Sequence, residues 1–212
     1  MNYGLYLSAA ALKLGHVRMD VLANNMANVN TTSFKPDALA IRSRRPAPAE
    51  RNLPPHLVMP VLDDVRGGLR DAGTFTDLTA GPLVSTDGPL DVAIQGRGFF
   101  AVEVDGKVRY TRDGRLARGA DGTLVTAAGA LPVLDAAGRR IMLGDGPVRI
   151  DAAGRIETGG TVVQLGLTDF ADERALRKEG ANTFSAGPAA GATASTSTVR
   201  QGFIEGSGVE PT

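Results

Sequence analysis

Few residues in this sequence have the types and spacing to do chemistry. Gly96-Arg97-Gly98-Phe99-Phe100-Ala101 has the G-x-G-x-x-A spacing that can cradle a dinucleotide pyrophosphate. That use requires a helix to begin at the glycines, because the phosphate sits on a helix N-terminus. Here a strand-like run, Phe99 to Val104, follows instead, so the spacing predicts a turn and no nucleotide site. Asp105, Asp113, Asp121 and Asp145 each precede a glycine. A calcium loop of the EF-hand type needs alternating acids before its glycine and a Glu six residues beyond it, so these single pairs predict Asp-Gly hairpin turns. The 2 histidines, His16 and His56, have no i, i+4 partner of the helical zinc motif. With 0 cysteines, disulfides, thiolate metal sites and cysteine nucleophiles are excluded. Neither a G-x-S-x-G elbow nor a Walker A loop is present. The residues therefore nominate no catalytic group, cofactor or metal, and the expectation is a protein that is not an enzyme.

Charge narrows the partners. Lys plus Arg and Asp plus Glu both number 23, for a formal net charge of zero. A nucleic-acid binder needs a basic excess to neutralise phosphates, so no nucleic-acid partner is expected. Gly4 to Leu14 is mostly apolar but too short to span a bilayer. No Lys or Arg precedes it, and Lys13, His16, Arg18 and Asp20 soon interrupt it. It is expected to belong to the mature chain, neither cleaved nor inserted in a membrane.

The elements that would carry function lie at the N-terminus. Leu5, Leu12, Met19 and Met26 recur every seven residues, and Ser8, Gly15, Leu22 and Val29 form a second row. Together they make an a/d seam on a helix from residue 3 to about 28, which at 1.5 Å per residue would be about 39 Å long. The seam either packs on a core of its own domain or takes partners from neighbouring molecules. The small residues Ser8 and Gly15, and the polar segment that follows, favour the second. The helix ends in Asn24-Asn25-Met26-Ala27-Asn28-Val29-Asn30-Thr31-Thr32-Ser33-Phe34-Lys35, where Asn, Thr and Ser compete for backbone hydrogen bonds and predict a helix stop.

Four stretches follow from this reading: a helix and Asn-rich turn over 1–35, a Pro-rich extended linker over 36–60, a β-rich domain over 61–184 and an extended return segment over 185–212. The fold class is mainly β, an antiparallel domain of short strands with one long N-terminal helix. Leu90 to Ile94, Phe99 to Val104 and Val162 to Leu167 read as strands, and glycines eight residues apart keep the turns. Ala171 to Glu179 reads as a short charged helix. With aromatics at 5% and no Trp, the core is expected to be built from Val, Leu, Ile and Ala.

The block Leu22 to Lys35 closely resembles the N-terminal signature of bacterial flagellar rod and hook proteins, a family that usually has Gly where this chain has Ser33. Pro89-Leu90-Asp91-Val92-Ala93-Ile94-Gln95-Gly96-Arg97-Gly98-Phe99-Phe100, with Tyr110-Thr111-Arg112-Asp113-Gly114, resembles the second signature of that family. Ala175 to Gly180, with Asn182 and Phe184, is most like the proximal-rod members, with distal-rod or hook-type axial members as the alternative. A monomeric ligand-binding β module is the reading from another class.

The resemblance implies a structural subunit of the basal-body rod, in the flagellum and spanning the periplasm. Its partners would be other rod proteins, further copies of itself and the flagellar type III export apparatus, which exports such chains without cleaving a signal peptide. Leu5, Leu12, Met19, Leu22, Met26 and Val29 would form the assembly interface. Asn24, Asn25, Asn28, Asn30, Thr31, Thr32 and Phe34 would form the family's turn. Phe203 to Glu210 resembles the family segment that leads into a C-terminal helix, the usual partner of the seam, whereas this sequence stops at Thr212.

Overall fold

A computed structural model of the protein describes residues 3–43 and 69–210. Most of the Pro-rich linker, with Arg44, Arg45, Arg51 and His56, lies outside the described residues. The described residues form two compact units, one of residues 3–27 with 37–43 and 69–75 and one of residues 28–36 with 76–210.

The first unit is built on α1 (Tyr3–Ala27), as the heptad spacing predicts. β1 (Asp37–Ser43) lies against α1 and pairs with β2 (Leu69–Thr76). Ala10, Leu14, Val17, Val21 and Asn25 form a half-buried stripe at helical spacing. At the end of that stripe Asn25 closes a reciprocal pair with β1. Its Nδ2 donates to the Asp37 carbonyl at 2.8 Å and its Oδ1 accepts from the Asp37 amide at 3.0 Å. The first part of the segment expected as linker is thus a strand.

The second unit holds β3 (Leu83–Ser85), β4 (Val92–Gln95), β5 (Phe99–Val104), β6 (Lys107–Thr111), β7 (Leu116–Arg118), β8 (Leu124–Thr126) and β9 (Arg149–Ile150). It continues with β10 (Arg155–Thr158), β11 (Thr161–Gln164), β12 (Leu167–Phe170), β13 (Leu176–Lys178), β14 (Thr183–Ala186), β15 (Ala192–Ala194), β16 (Thr198–Gln201) and β17 (Phe203–Glu205). Its main sheet runs β13-β14-β6-β5-β12-β15, and its pairings are antiparallel. The mainly β fold class therefore holds.

β5 explains why Phe99 to Val104 is a continuous apolar run. Alternate side chains point to opposite faces, and both faces are covered. Phe100 and Val102 enter a cluster with Val92, Ile94, Leu124, Ile156 and Leu165, while Phe99 enters another with Phe170, Phe184 and Ala190. Phe99 meets Phe170 and Phe184 edge-on at 5.6 and 5.7 Å. The expectation of a purely aliphatic core is corrected here: the sparse phenylalanines are concentrated at its centre, where rings bury most area.

Three further expectations change. Ala171 to Glu179 is not one helix. Asp172 caps a single 3-10 turn, Glu173–Ala175, and Leu176–Lys178 then pairs with β14 as a strand, because β14 presents an unfilled edge there. Residues 185–210 are extended apart from one 3-10 turn, Pro188–Ala190, but they belong to the sheets: β15, β16 and β17 pair with β12, β4 and β3. Asp105-Gly106 is a hairpin turn with both residues at positive φ, as expected. Asp113-Gly114 is not a turn of that kind, since Gly114 instead passes directly against β4 and its carbonyl accepts from the Val92 amide at 2.9 Å.

Candidate functional site

Two features stand out, an apolar stripe on α1 and a buried charged junction in the β unit. Leu5, Leu12, Met19, Leu22 and Met26 lie along one face of α1 and are between 55% and 77% exposed. Ser8 and Gly15 sit between them, and Gly15 has open space beside it. Val29 departs from this row: α1 stops at Ala27, and Val29 is half-buried in the turn beyond. No helix among the described residues is long and apolar enough to cross a membrane.

The Asn-Thr block is a built turn. The Thr31 amide donates to the Asn28 carbonyl and its hydroxyl to Asn28 Oδ1, both at 3.1 Å. The Phe34 amide donates to the Thr31 carbonyl at 3.2 Å, and the Thr32 carbonyl accepts from Asn182 Nδ2 at 2.6 Å. Phe34 is buried, with Lys178 Nζ 4.0 Å from its ring centroid. Asn24, Asn30 and Thr31 are exposed. Of the residues assigned to the turn, Asn25 is bonded to β1.

Beneath the turn lies a cluster that sequence reasoning missed. Lys35, Arg112 and Glu205 are 0%, 3% and 1% exposed. Lys35 Nζ donates to Glu205 Oε1 through a short contact and to the Thr79 carbonyl at 2.6 Å. Arg112 Nε donates to Glu205 Oε2 at 2.8 Å, and its Nη1 and Nη2 donate to the carbonyls of Gly98 and Gly96 at 3.0 and 2.9 Å. The Gly81 amide also donates to Glu205 Oε1, at 2.8 Å. Every charged atom is thereby satisfied, the condition for burying such groups at all. Burial pushes the Lys35 ammonium below the usual lysine value, and Glu205 beside it opposes that shift. The G-x-G spacing at Gly96 and Gly98 thus supplies two carbonyls to a guanidinium. Lys35, Arg112 and Glu205 each lay inside a stretch that carried the family resemblance, and that coincidence was the available signal.

Ser33 sits in this cluster at φ 54. Its amide donates to the Glu205 carbonyl at 2.9 Å and its hydroxyl to the Arg112 carbonyl at 2.8 Å. The left-handed conformation explains why glycine suits this position in the family, and the hydroxyl bond offsets the strain of a side chain here. Ser33→Gly is expected to change stability by less than about 1 kcal/mol, since strain relief and the lost bond are of similar size. Ser33→Ala keeps the strain and loses the bond, so it should melt lower than both; thermal unfolding of the three proteins checks the order.

A family profile described as the flagella basal body rod protein matches residues 5–35, the stretch of α1 and its turn, and the flagellar hook protein FlgE/F/G D1 domain matches residues 93–166. The flagellar basal-body rod protein FlgF of Caulobacter vibrioides is 35% identical over the whole chain and 84% of its own length. The chain belongs to the flagellar basal-body rod family. The rod proteins FlgG of Agrobacterium fabrum and of Bacillus subtilis are 32% and 30% identical, over 97% and 100% of this chain and 85% and 87% of their own lengths. The protein is a FlgF-like structural subunit of the flagellar basal-body rod.

Proposed function

We propose that the protein polymerises through the exposed face of α1 as a proximal-rod subunit, and that the resulting shaft transmits torque across the periplasm. Its partners are neighbouring rod subunits whose helices pack on Leu5, Leu12, Met19, Leu22 and Met26. The observation that carries this is the exposure of those five side chains on one face. Each large apolar side chain gains about 1.5–3 kcal/mol on burial, so the stripe as a whole favours association by on the order of 10 kcal/mol. Ser8 and Gly15 let a partner helix approach closely. Export by the flagellar type III apparatus without cleavage fits the same reading, because Gly4 to Leu14 is continuous with the rest of α1 and removing it would take Leu5 and Leu12 from the stripe.

The test replaces Leu12 and Leu22 together by Asp in a strain lacking the native gene. Swimming and recovery of the subunit in purified basal bodies should both be lost, while the melting temperature of the isolated protein stays within about 3 °C of the parent, since both side chains are exposed. Retained motility would sink the assignment of the stripe. A fragment meant to isolate the β unit must begin at Asn28, because removing residues through Lys35 would also take Phe34 and a cation from the buried cluster.

A further inference from the structure

Three segments that are remote in sequence are zipped together at the Lys35–Arg112–Glu205 cluster. Residues 28–36 and 203–209 are joined by the Ser33 amide to the Glu205 carbonyl, by the Gly208 amide to the Phe34 carbonyl at 2.9 Å, and by the Ser207 hydroxyl to the Asn28 carbonyl at 3.1 Å. Residues 77–85 close the triangle. The Asp77 amide donates to the Pro36 carbonyl at 2.9 Å, the Gly206 amide to the Pro82 carbonyl at 2.7 Å, and β3 pairs with β17 throughout. Gly81 is held so close that a Cβ there would lie 2.6 Å from the Gly206 carbonyl oxygen.

The buried apolar anchors of this region, Phe34 and Ile204, belong to neither hydrophobic cluster of the β core. Leu78 packs against the Phe99 cluster, and Asn182 and Lys178 donate to the Thr32 and Lys35 carbonyls, but the charged cluster is the point at which all three segments meet that core. Arg112 follows β6 and also holds the Gly96 and Gly98 carbonyls, and Glu205 is the anion facing both Arg112 and Lys35. Take Glu205 away and two buried cations face each other without a buried anion, since Asp77 is exposed, a far larger penalty than losing a surface pair.

We propose that residues 28–36, 77–85 and 203–209 form a single cooperative opening unit, latched to the β core by Glu205. The segment that joins α1 to the β unit is therefore held or released together with 203–209, and never alone. Local openings of this kind run through contiguous units whose free energy lies below that of global unfolding. Two chain segments from opposite ends of the sequence thus share one switch, and the β core keeps its fold in either state. That gives a rod subunit a way to free the flank of its assembly helix without unfolding.

Hydrogen exchange on the full chain tests this. In the parent protein at low denaturant, amides of the three segments should converge on one opening isotherm, lying below that of β5 and β12. In Glu205→Gln, all three should exchange faster by the same factor, at least about a hundredfold, with β5 and β12 unchanged. Acceleration confined to 203–209, or separate isotherms for 28–36 and 203–209 in the parent, would overturn the proposal. Equal acceleration of β5 would overturn it too, since the latch would then be part of the global core. The parent isotherms decide the matter even if the variant does not fold.

Discussion

Gly114→Ala is expected to destabilise the β unit by at least about 3 kcal/mol, lowering its melting temperature by roughly 6 °C or more. Nothing about the backbone angle at this glycine requires the effect; the cause is space. A Cβ built on Gly114 would lie 1.6 Å from the Val92 carbonyl oxygen and 3.2 Å from a ring carbon of Phe100. Carbon and oxygen come no closer than about 3.3 Å in tight strand contacts, so one backbone must move by well over an ångström. Neither can move cheaply. On its other side β4 is paired with β16 through Val92 to Gln95, and its Val92, Ala93 and Ile94 are buried. Retreat of residue 114 would also break the bond from the Val92 amide. Gly106→Ala is the control. Gly106 has φ +70 and open space around it, so alanine there meets only the left-handed penalty of about 1 kcal/mol. Thermal melts of the two variants separate crowding from conformation, and equal losses would show that the close approach at Gly114 does not matter.

Those two glycines also show how far the sequence could be read. Both stand after an Asp, eight residues apart, and turn chemistry predicts a hairpin at each. At Gly106 local chemistry decides, because the two residues of the β5–β6 turn are all that matter. At Gly114 a strand more than twenty residues upstream decides, and spacing carries no record of it. The same division runs through the rest of the fold. α1 was legible because its signal repeats over nearly four heptads, and β5 because two buried faces produce an unbroken apolar run. The segment Ala171 to Glu179 was misread, since its alternation is too short to separate a helix from an edge strand and β14 settles the question. At the candidate site, the apolar stripe could be seen in the sequence as a row needing a partner. The charged cluster could not, because 77 and 93 positions separate its members and a lysine or glutamate in a polar stretch looks like a solvated one.

Arg112→Met is expected to be as damaging, by about 3–5 kcal/mol, although it removes a cation from a site that holds two. The simple count of charge would predict relief, because Lys35, Arg112 and Glu205 carry one positive charge in excess. Geometry says otherwise. The guanidinium is the donor to three buried acceptors, Glu205 Oε2, the Gly98 carbonyl and the Gly96 carbonyl, and methionine supplies none of these bonds. Each acceptor left unpaired in a dry site costs about 1–3 kcal/mol, and Lys35 cannot turn to them while it holds Glu205 Oε1 and the Thr79 carbonyl. Arg112→Lys should recover less than half of the loss, since a single ammonium cannot reproduce the planar fork that reaches all three. A pH series adds a readout that packing alone would not move. The folded Lys35 ammonium gives up its proton more readily than the unfolded one, so just below pH 10.5 the unfolded chain binds more protons and this group makes stability rise with pH. Arg112 contributes to that lowered value through charge repulsion, so in Arg112→Met the alkaline rise should shrink while overall stability falls. A variant whose stability drops with the alkaline slope unchanged would show that Arg112 acts on the cluster through packing and not through its charge.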